Sequence, residues 1–445
     1  MQANKTKYLN ALFAYFGEQN IAYCVVGDTA ALPEVISSDI DIVISRHDFL
    51  TIKEKIYQFS QQHQCQLVQS LQHEQTACYF VLSFANKANK ISFIHPDICS
   101  DYYRNGTPLI SADDVLAGRR LALTENGKDK TFYIATIDME FIYYLIKKID
   151  KGLVNQSHYD HLCVHYFLSP DKCKERMLGY WSSQDVEIII ESMLSKSVEQ
   201  LQKALPGLQS SLNSRIRSSL SDHYRELKRK IMRAMQPAGV LIVILGPDGV
   251  GKTAVGDQLK TELSPAFRGV KRFHLRPYLI GSSGKGGGAP VTNPHGQPSR
   301  NQLSSMVKLI YFLADYSLGY LLRILPLKIR SNLIIFDRYY HDLLADPKRY
   351  RYGAPLWVAR MVGRLIPKPD IFIVLDAPAD TIHGRKQEVT MEETARQRTA
   401  YLDFAKTQRN CVVLNTSQAL NNTVNAGCLA VMTYMQKREK MRLGH

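Results

Sequence analysis

The sequence predicts an α/β multidomain protein: an N-terminal α+β block with a helical extension, then a block built on a parallel sheet. Three observations carry this. The runs Val240–Leu245, Asn332–Phe336 and Asp370–Leu375 are apolar throughout and alternate with helical stretches. Strands buried on both faces of a parallel sheet read this way. Residues 1–130 instead hold short runs, some with a period of two, and residues 131–236 are mainly helical. A chain of 445 residues is long enough for two or three domains at roughly 100–200 residues each.

Taken in order, the chain opens on a mixed helix with no apolar signal core. Tyr23–Val26 is a short β run ending at Gly27, and Asp39–Ile44 alternates with period two. Ala77–Leu82 and Lys90–Ile94 are further β runs. Met139–Lys148 opens the helical extension, and a basic helix over 222–233 closes it. Pro237 and Gly239 break that helix before the strong strand at Val240, so the main boundary is placed there. The predicted domains are 1–130, 131–236 and 237–445. Residues 281–288, rich in Gly and Ser, read as a flexible loop.

Hydrophobic residues at 45% and charged residues at 22% exclude a disordered or fibrous chain. The net charge of +15 favours polyanionic partners such as nucleotides, nucleic acid or an anionic membrane surface. The eight cysteines form no C-x-x-C pair, which argues against a zinc ribbon or a disulfide framework. The most apolar stretch, Met306–Leu327, carries Lys308, Asp315 and Arg323, which argues against a transmembrane span. The expectation is a cytoplasmic protein.

The strongest chemical signal is Gly246, Pro247, Asp248, Gly249, Val250, Gly251, Lys252 and Thr253, which fit G-x-x-x-x-G-K-[ST] between a strand and a helix. Glycines let backbone N–H groups close around phosphate oxygens, and the helix N-terminus adds its positive end. Lys252 is expected to reach the β- and γ-phosphates of ATP, and Thr253 to ligate Mg²⁺. Asp337 ends a buried strand and is placed to hold Mg²⁺; Arg338 follows and is a candidate clamp for an acceptor phosphate. Arg385, Lys386 and Arg396 are candidates for a lid that excludes water and stabilises transferring charge.

These residues resemble the thymidylate kinase family: the loop 246–253, Asp337-Arg338-Tyr339, Asp370 with Asp376, and an Arg/Lys-rich lid ending near Tyr401. The resemblance covers 237–445 and implies a P-loop kinase of the nucleoside monophosphate kinase type. It implies that Asp248 lies near the acceptor. Gly249 stands where some members carry a catalytic arginine, so Arg385 or Arg396 would serve instead. It also implies pairing of two copies through helices. The family's acceptor-phosphate arginine corresponds to Arg276, in Phe273-His-Leu-Arg-Pro277 rather than the usual Phe-Arg-Glu-Pro form. The following segment, including 292–298, is absent from the nucleotide kinases, which leaves the acceptor open among a nucleoside monophosphate, a sugar, a lipid-linked glycan and a macromolecule.

No Asp or Glu occurs from Leu263 to Ala314, whereas Arg268, Lys271, Arg272, Arg276, Lys285, Arg300 and Lys308 do. Such a stretch raises the local concentration of anions. Few aromatics interleave with these charges in the loop, so nucleic acid is the less favoured partner. Asp315 ends the acid-free run and reads either as a ligand for an acceptor hydroxyl or as a structural group.

In the first block, Asp39 and Asp41 share a strand face because side chains alternate. Two such carboxylates suit Mg²⁺ with a nucleotide's phosphates, and Asp97 is the candidate third. Gly27 with Asp39-Ile-Asp41 resembles the nucleotidyltransferase fold of the polymerase-β type over roughly the first 110 residues. Its usual Gly-Ser or Gly-Gly turn is replaced by Gly27-Asp28, which leaves both active transfer and a binding or scaffold domain open. His158, His161 and His165 share a helix face; that reads as a polar face, with zinc the alternative. The function expected is an ATP- and Mg²⁺-dependent kinase acting on a small acceptor. The alternatives are a nucleotidyltransferase with an accessory ATP-binding domain and a non-catalytic nucleotide sensor.

Overall fold

The computed structural model describes residues 2–37, 39–86, 90–104, 107–123, 127, 129–214, 220–279, 298–387 and 389–445. Contacts divide the chain into two compact units. The first is Met1–Phe84, Ser92–Lys230 and Glu439–His445; the second is Ala85–Ile91 and Ile231–Arg438. The Gly-rich 281–288 loop and nearly all of 292–298 lie outside the described residues.

The first unit is built on ten strands: β1 (Tyr23–Val26), β2 (Ile40–Ile44), β3 (Gln66–Gln72), β4 (Ala77–Ala85), β5 (Ile91–Ile94), β6 (Pro96–Cys99), β7 (Tyr102–Arg104), β8 (Thr107–Ile110), β9 (Arg120–Leu123) and β10 (Asp129–Ile134). Eight form one mixed sheet in the order β3-β4-β6-β2-β1-β10-β9, with β5 on β4; β7 and β8 form a separate hairpin. β1 runs antiparallel to β2, and β2 parallel to β6.

Alternation along these strands feeds two cores. Tyr23, Val25, Ile40, Ile42 and Ile44 join Leu9, Leu12, Phe13 and Phe16 of the first helix, Gln2–Glu18. Cys24, Val26 and Val43 point the other way, into a core with Phe141, Ile142, Leu145 and Ile146 of the helix Ile137–Lys151. Asp41 is in step with Val43, so it faces that second helix. The helical segment continues through Gln156–Leu168, Pro170–Leu178, Ser183–Leu194 and Val198–Ser214, all contributing to this core.

The second unit carries β11 (Val240–Leu245), β12 (Gly269–His274), β13 (Asn332–Asp337), β14 (Ile371–Asp376) and β15 (Cys411–Asn415). They form one parallel sheet in the order β12-β13-β11-β14-β15. β11 is the first strand of the five and is wholly buried. The chain leaves it for one side and later crosses to the other. The carboxyl end of β11 is therefore the switch point at which open α/β sheets bind ligands.

Over Gln302–Ile329 the chain is helical and long and apolar enough to cross a bilayer by length and composition, the one such helix among the described residues. Its polar groups are tied into this unit. Asp315 is fully buried against Arg276, and Lys308 donates to the Tyr350 carbonyl at 2.7 Å.

Candidate active site

After β11 the backbone takes three left-handed or extended turns that need glycine: Gly246 (φ 147°), Gly249 (φ 86°) and Gly251 (φ 99°). A Cβ on Gly246 would lie 2.7 Å from the Leu375 carbonyl and 3.0 Å from Val250. Between them, Val250 N–H donates to the Pro247 carbonyl at 3.4 Å, closing the turn. Gly251 caps the helix Lys252–Leu263, whose first turn bears Thr253 exposed. Lys252 is buried and bends back over the loop, donating to the carbonyls of Gly246 (2.9 Å) and Pro247 (2.8 Å) and to Asp248 (3.2 Å). Burial, then the nearby Arg338, pushes its ammonium down to about 7.

Asp248 is held by three cations: Lys252, Arg338 and Arg349. Arg338 adopts φ 68° just past β13, and its N–H donates to the Ile244 carbonyl at 3.0 Å, pinning the end of β13 to β11. Behind it lies Asp342, fully buried. That carboxylate accepts from Arg338 (2.7 Å), Tyr350 (2.7 Å) and Tyr401 (2.5 Å). Burial opposes its ionisation, but Arg338 and the two phenols hold it below the usual carboxylate range. Tyr401, expected at the end of the lid, is thus a buried support for Arg338. Arg349 has no counterpart in the sequence reading; it also pairs with Asp346 at 3.3 Å.

Asp337 ends β13. One oxygen accepts from Arg272 at 3.2 Å, and the other, Oδ1, is buried with no protein partner. A buried carboxylate oxygen of this kind takes a water or a cation as partner, and Thr253 at the helix start is the other group the loop offers a cation.

The expected lid residues separate. Arg385 donates to the Thr416 carbonyl at 2.9 Å, and Arg396 is paired with Glu393 at 2.6 Å. Arg398, next but one, grips Asp376 through Nε and Nη2 (2.7 and 3.0 Å). Backbone and nearby carboxylates hold these arginines, so neither Arg385 nor Arg396 joins the Asp248 group here. Of the expected lid residues, the one beside the 246–253 loop is Lys386: its Cβ would sit 3.0 Å from a Cβ on Gly249, and its charge acts on Lys252. Arg276 and Asp315 do come together, at 3.2 Å, with Tyr311 hydroxyl accepting from Arg276 at 2.5 Å. Asp315 also accepts the Leu279 N–H at 2.9 Å. In this arrangement it braces Arg276 from a fully buried position.

In the first unit, Asp41 and Asp97 are register partners on the parallel strands β2 and β6. Each has its own neighbour: Lys147 reaches Asp41 at 2.7 Å, and His73 reaches Asp97 at 2.8 Å. Asp39 precedes β2 and accepts from Tyr79 at 3.1 Å. Among the described residues these three carboxylates do not converge to ligating distance; the group of three that does is Glu140, His161 and His165. His158, placed with the other histidines by spacing, instead caps its own helix with Asn155.

No protein-family model matches the chain. The chain is similar to a protein described as a probable thymidylate kinase from Caldivirga maquilingensis, at 25% identity over 212 residues, or 45% of this chain and 95% of that protein. It is similar to the thymidylate kinase of Xanthomonas campestris pv. campestris at 28% identity over 152 residues. The Xanthomonas oryzae pv. oryzae enzyme matches at 27% over 152 residues. These two matches cover 33% of this chain and 60% of each relative. At this low identity, over a third to 45% of the chain, the similarity supports a kinase-like region.

Proposed function

We propose that the chain is an ATP- and Mg²⁺-dependent phosphotransferase of the thymidylate kinase-like type, with a small anionic or hydroxyl-bearing acceptor such as a nucleotide or sugar. The observation that carries this is the convergence of Lys252, Asp248 and Arg338 where β11 and β13 end. Thr253 and the unpartnered Asp337 oxygen are the groups that would hold Mg²⁺, which when bound neutralises charge on the donor's phosphates. The loop N–H groups orient the triphosphate. Lys252 exchanges its loop carbonyls for phosphate oxygens and stabilises charge as the γ-phosphoryl leaves. Asp248, fixed by its cations, positions the acceptor, and Arg349 and Lys386 supply positive charge beside it.

The first unit is read as a nucleotidyltransferase-like domain, supported by the register pairing of Asp41 with Asp97. That pairing favours a second reading in which nucleotidyl transfer is the main chemistry. ³¹P NMR of the protein with Mg²⁺-ATP and a cytoplasmic metabolite extract separates the two. ADP with a new phosphorylated product supports the kinase. Pyrophosphate with a nucleotidylated product overturns it. Lys252→Ala is expected to cut γ-phosphoryl transfer by at least about 10²–10³-fold with an unchanged circular dichroism spectrum; retained transfer would refute the assignment.

A further inference from the structure

We propose that Glu140, His161 and His165 form a binding site for one divalent transition metal ion of the zinc class, with three protein ligands and the fourth position taken by water or another oxygen donor. The site lies wholly in the first unit and joins two helices, Ile137–Lys151 and Gln156–Leu168. One ligand atom from each residue lies within 4.8 Å of the other two. Two imidazoles and a carboxylate suit zinc.

The geometry goes beyond proximity. His161 and His165 are one turn apart on the same helix face, with ring centroids 4.3 Å apart. His165 Nε2 lies 3.5 Å from Glu140 Oε2. Two ligands on a tetrahedral ion at ~2.0–2.1 Å are about 3.3 Å apart, so this edge is already close to ligating dimensions. The other His165 nitrogen, Nδ1, is 2.9 Å from the His161 carbonyl. A proton on Nδ1 donated to that carbonyl turns the Nε2 lone pair toward Glu140, which is how outer hydrogen bonds orient metal-binding histidines. A lone pair facing a carboxylate at that distance needs a cation between them, either a proton or a metal.

His161 distinguishes those two. Its Nε2 is buried and has no hydrogen-bond partner. A plain Glu140–His165 ion pair accounts for two of the three side chains and leaves this nitrogen without a role; a metal ion accounts for all three. The Tyr144 ring, 4.3 Å away, fixes the His161 imidazole. Glu140, buried at 3% exposure, is the carboxylate that balances the ion's charge.

Cobalt(II) reports the site directly. The full chain is stripped with a chelator, titrated with Co²⁺ and followed by visible absorption. The expected result is saturation at one equivalent, with the intense bands of four-coordinate Co²⁺ and displacement by Zn²⁺. His161→Asn leaves the Glu140–His165 pair intact, so it is the variant least able to disturb folding. It is expected to weaken Co²⁺ binding by more than the roughly 10–100-fold typical of losing an outer-shell partner, with unchanged thermal unfolding of the metal-free protein. Absence of a saturable spectrum in the wild-type chain overturns the proposal. Equal binding by wild type and His161→Asn places the ion elsewhere and also overturns it.

Discussion

Lys252 and Arg349 carry the sharpest expectations at the scale of single residues. With its ammonium pushed to about 7, Lys252 is largely unprotonated above neutral pH, whereas a lysine in water holds its proton to about 10.4. Phosphate oxygens restore the charged form. ATP binding at pH 8 is therefore expected to take up a proton, with uptake confined to the window between about 7 and 10.5. Calorimetry in two buffers of different ionisation enthalpy reads it; identical heats in both would refute the lowered value. Arg349→Gln removes one of the three cations on Asp248. It is expected to lower kcat/KM for the acceptor by about 10–100-fold, the worth of a hydrogen bond to a charged group, while the KM for ATP stays the same. Steady-state kinetics with the acceptor found by NMR measure both. Lys252 was legible from its motif. Arg349 was not, because its partner is 101 positions away and a basic turn between Asp346 and Tyr350 has no distinguishing spacing.

Among elements, β11, β13 and β14 were legible because their interior residues are buried on both faces and leave apolar runs. β12 and β15 are the edges of the same sheet. Their residues are largely half-exposed or exposed: β12 interrupts its apolar residues with Lys271 and Arg272, and the apolar run of β15, Cys411–Leu414, is short. The helix Met391–Thr407 was legible as charged, but its buried contribution was not: one turn carries Tyr401 inward to Asp342. The cluster of Asp342, Arg338, Tyr350 and Tyr401 fixes β13, its following turn and this helix in one arrangement. Asp342→Ala leaves Arg338 buried without its main counter-ion. It is expected to cost about 3–5 kcal/mol and to lower the melting temperature by roughly 10 °C. Tyr401→Phe removes one hydrogen bond to a charged group and is expected to cost about 1.5–3 kcal/mol. Thermal unfolding of both variants is the check; an Asp342→Ala protein as stable as wild type would show that the cluster does not hold the elements together.

For the whole molecule, the proposed phosphotransfer rests on the second unit, and the alternative of nucleotidyl transfer would rest on Asp39 and Asp41 of the first. Asp39→Asn combined with Asp41→Asn tests the division. The double variant is expected to retain γ-phosphoryl transfer from ATP and to lose any nucleotidyl transfer, both read by the same ³¹P assay. Loss of γ-transfer as well would show that the units do not act independently. The alternation of Asp39 and Asp41 was legible, and so was the strand neighbour of Asp41, because a β run leads into Asp97; that the three carboxylates stay apart was not. Their neighbours Lys147 and His73 were not, since each arrives from an element distant in sequence.

The close seat of Gly249 restricts how the loop can be redesigned. A side chain there would meet the Ile382 carbonyl at 2.8 Å and Lys386 at 3.0 Å, on a backbone with φ 86°. An arginine in the loop and a cation at the root of the lid therefore compete for one space. Moving the charge from lid to loop is a coupled change: the segment around 382–386 must retreat before position 249 can accept a side chain. Randomising codon 249 alone would return glycine, and a selection for a loop arginine would succeed only in a background already altered at the lid.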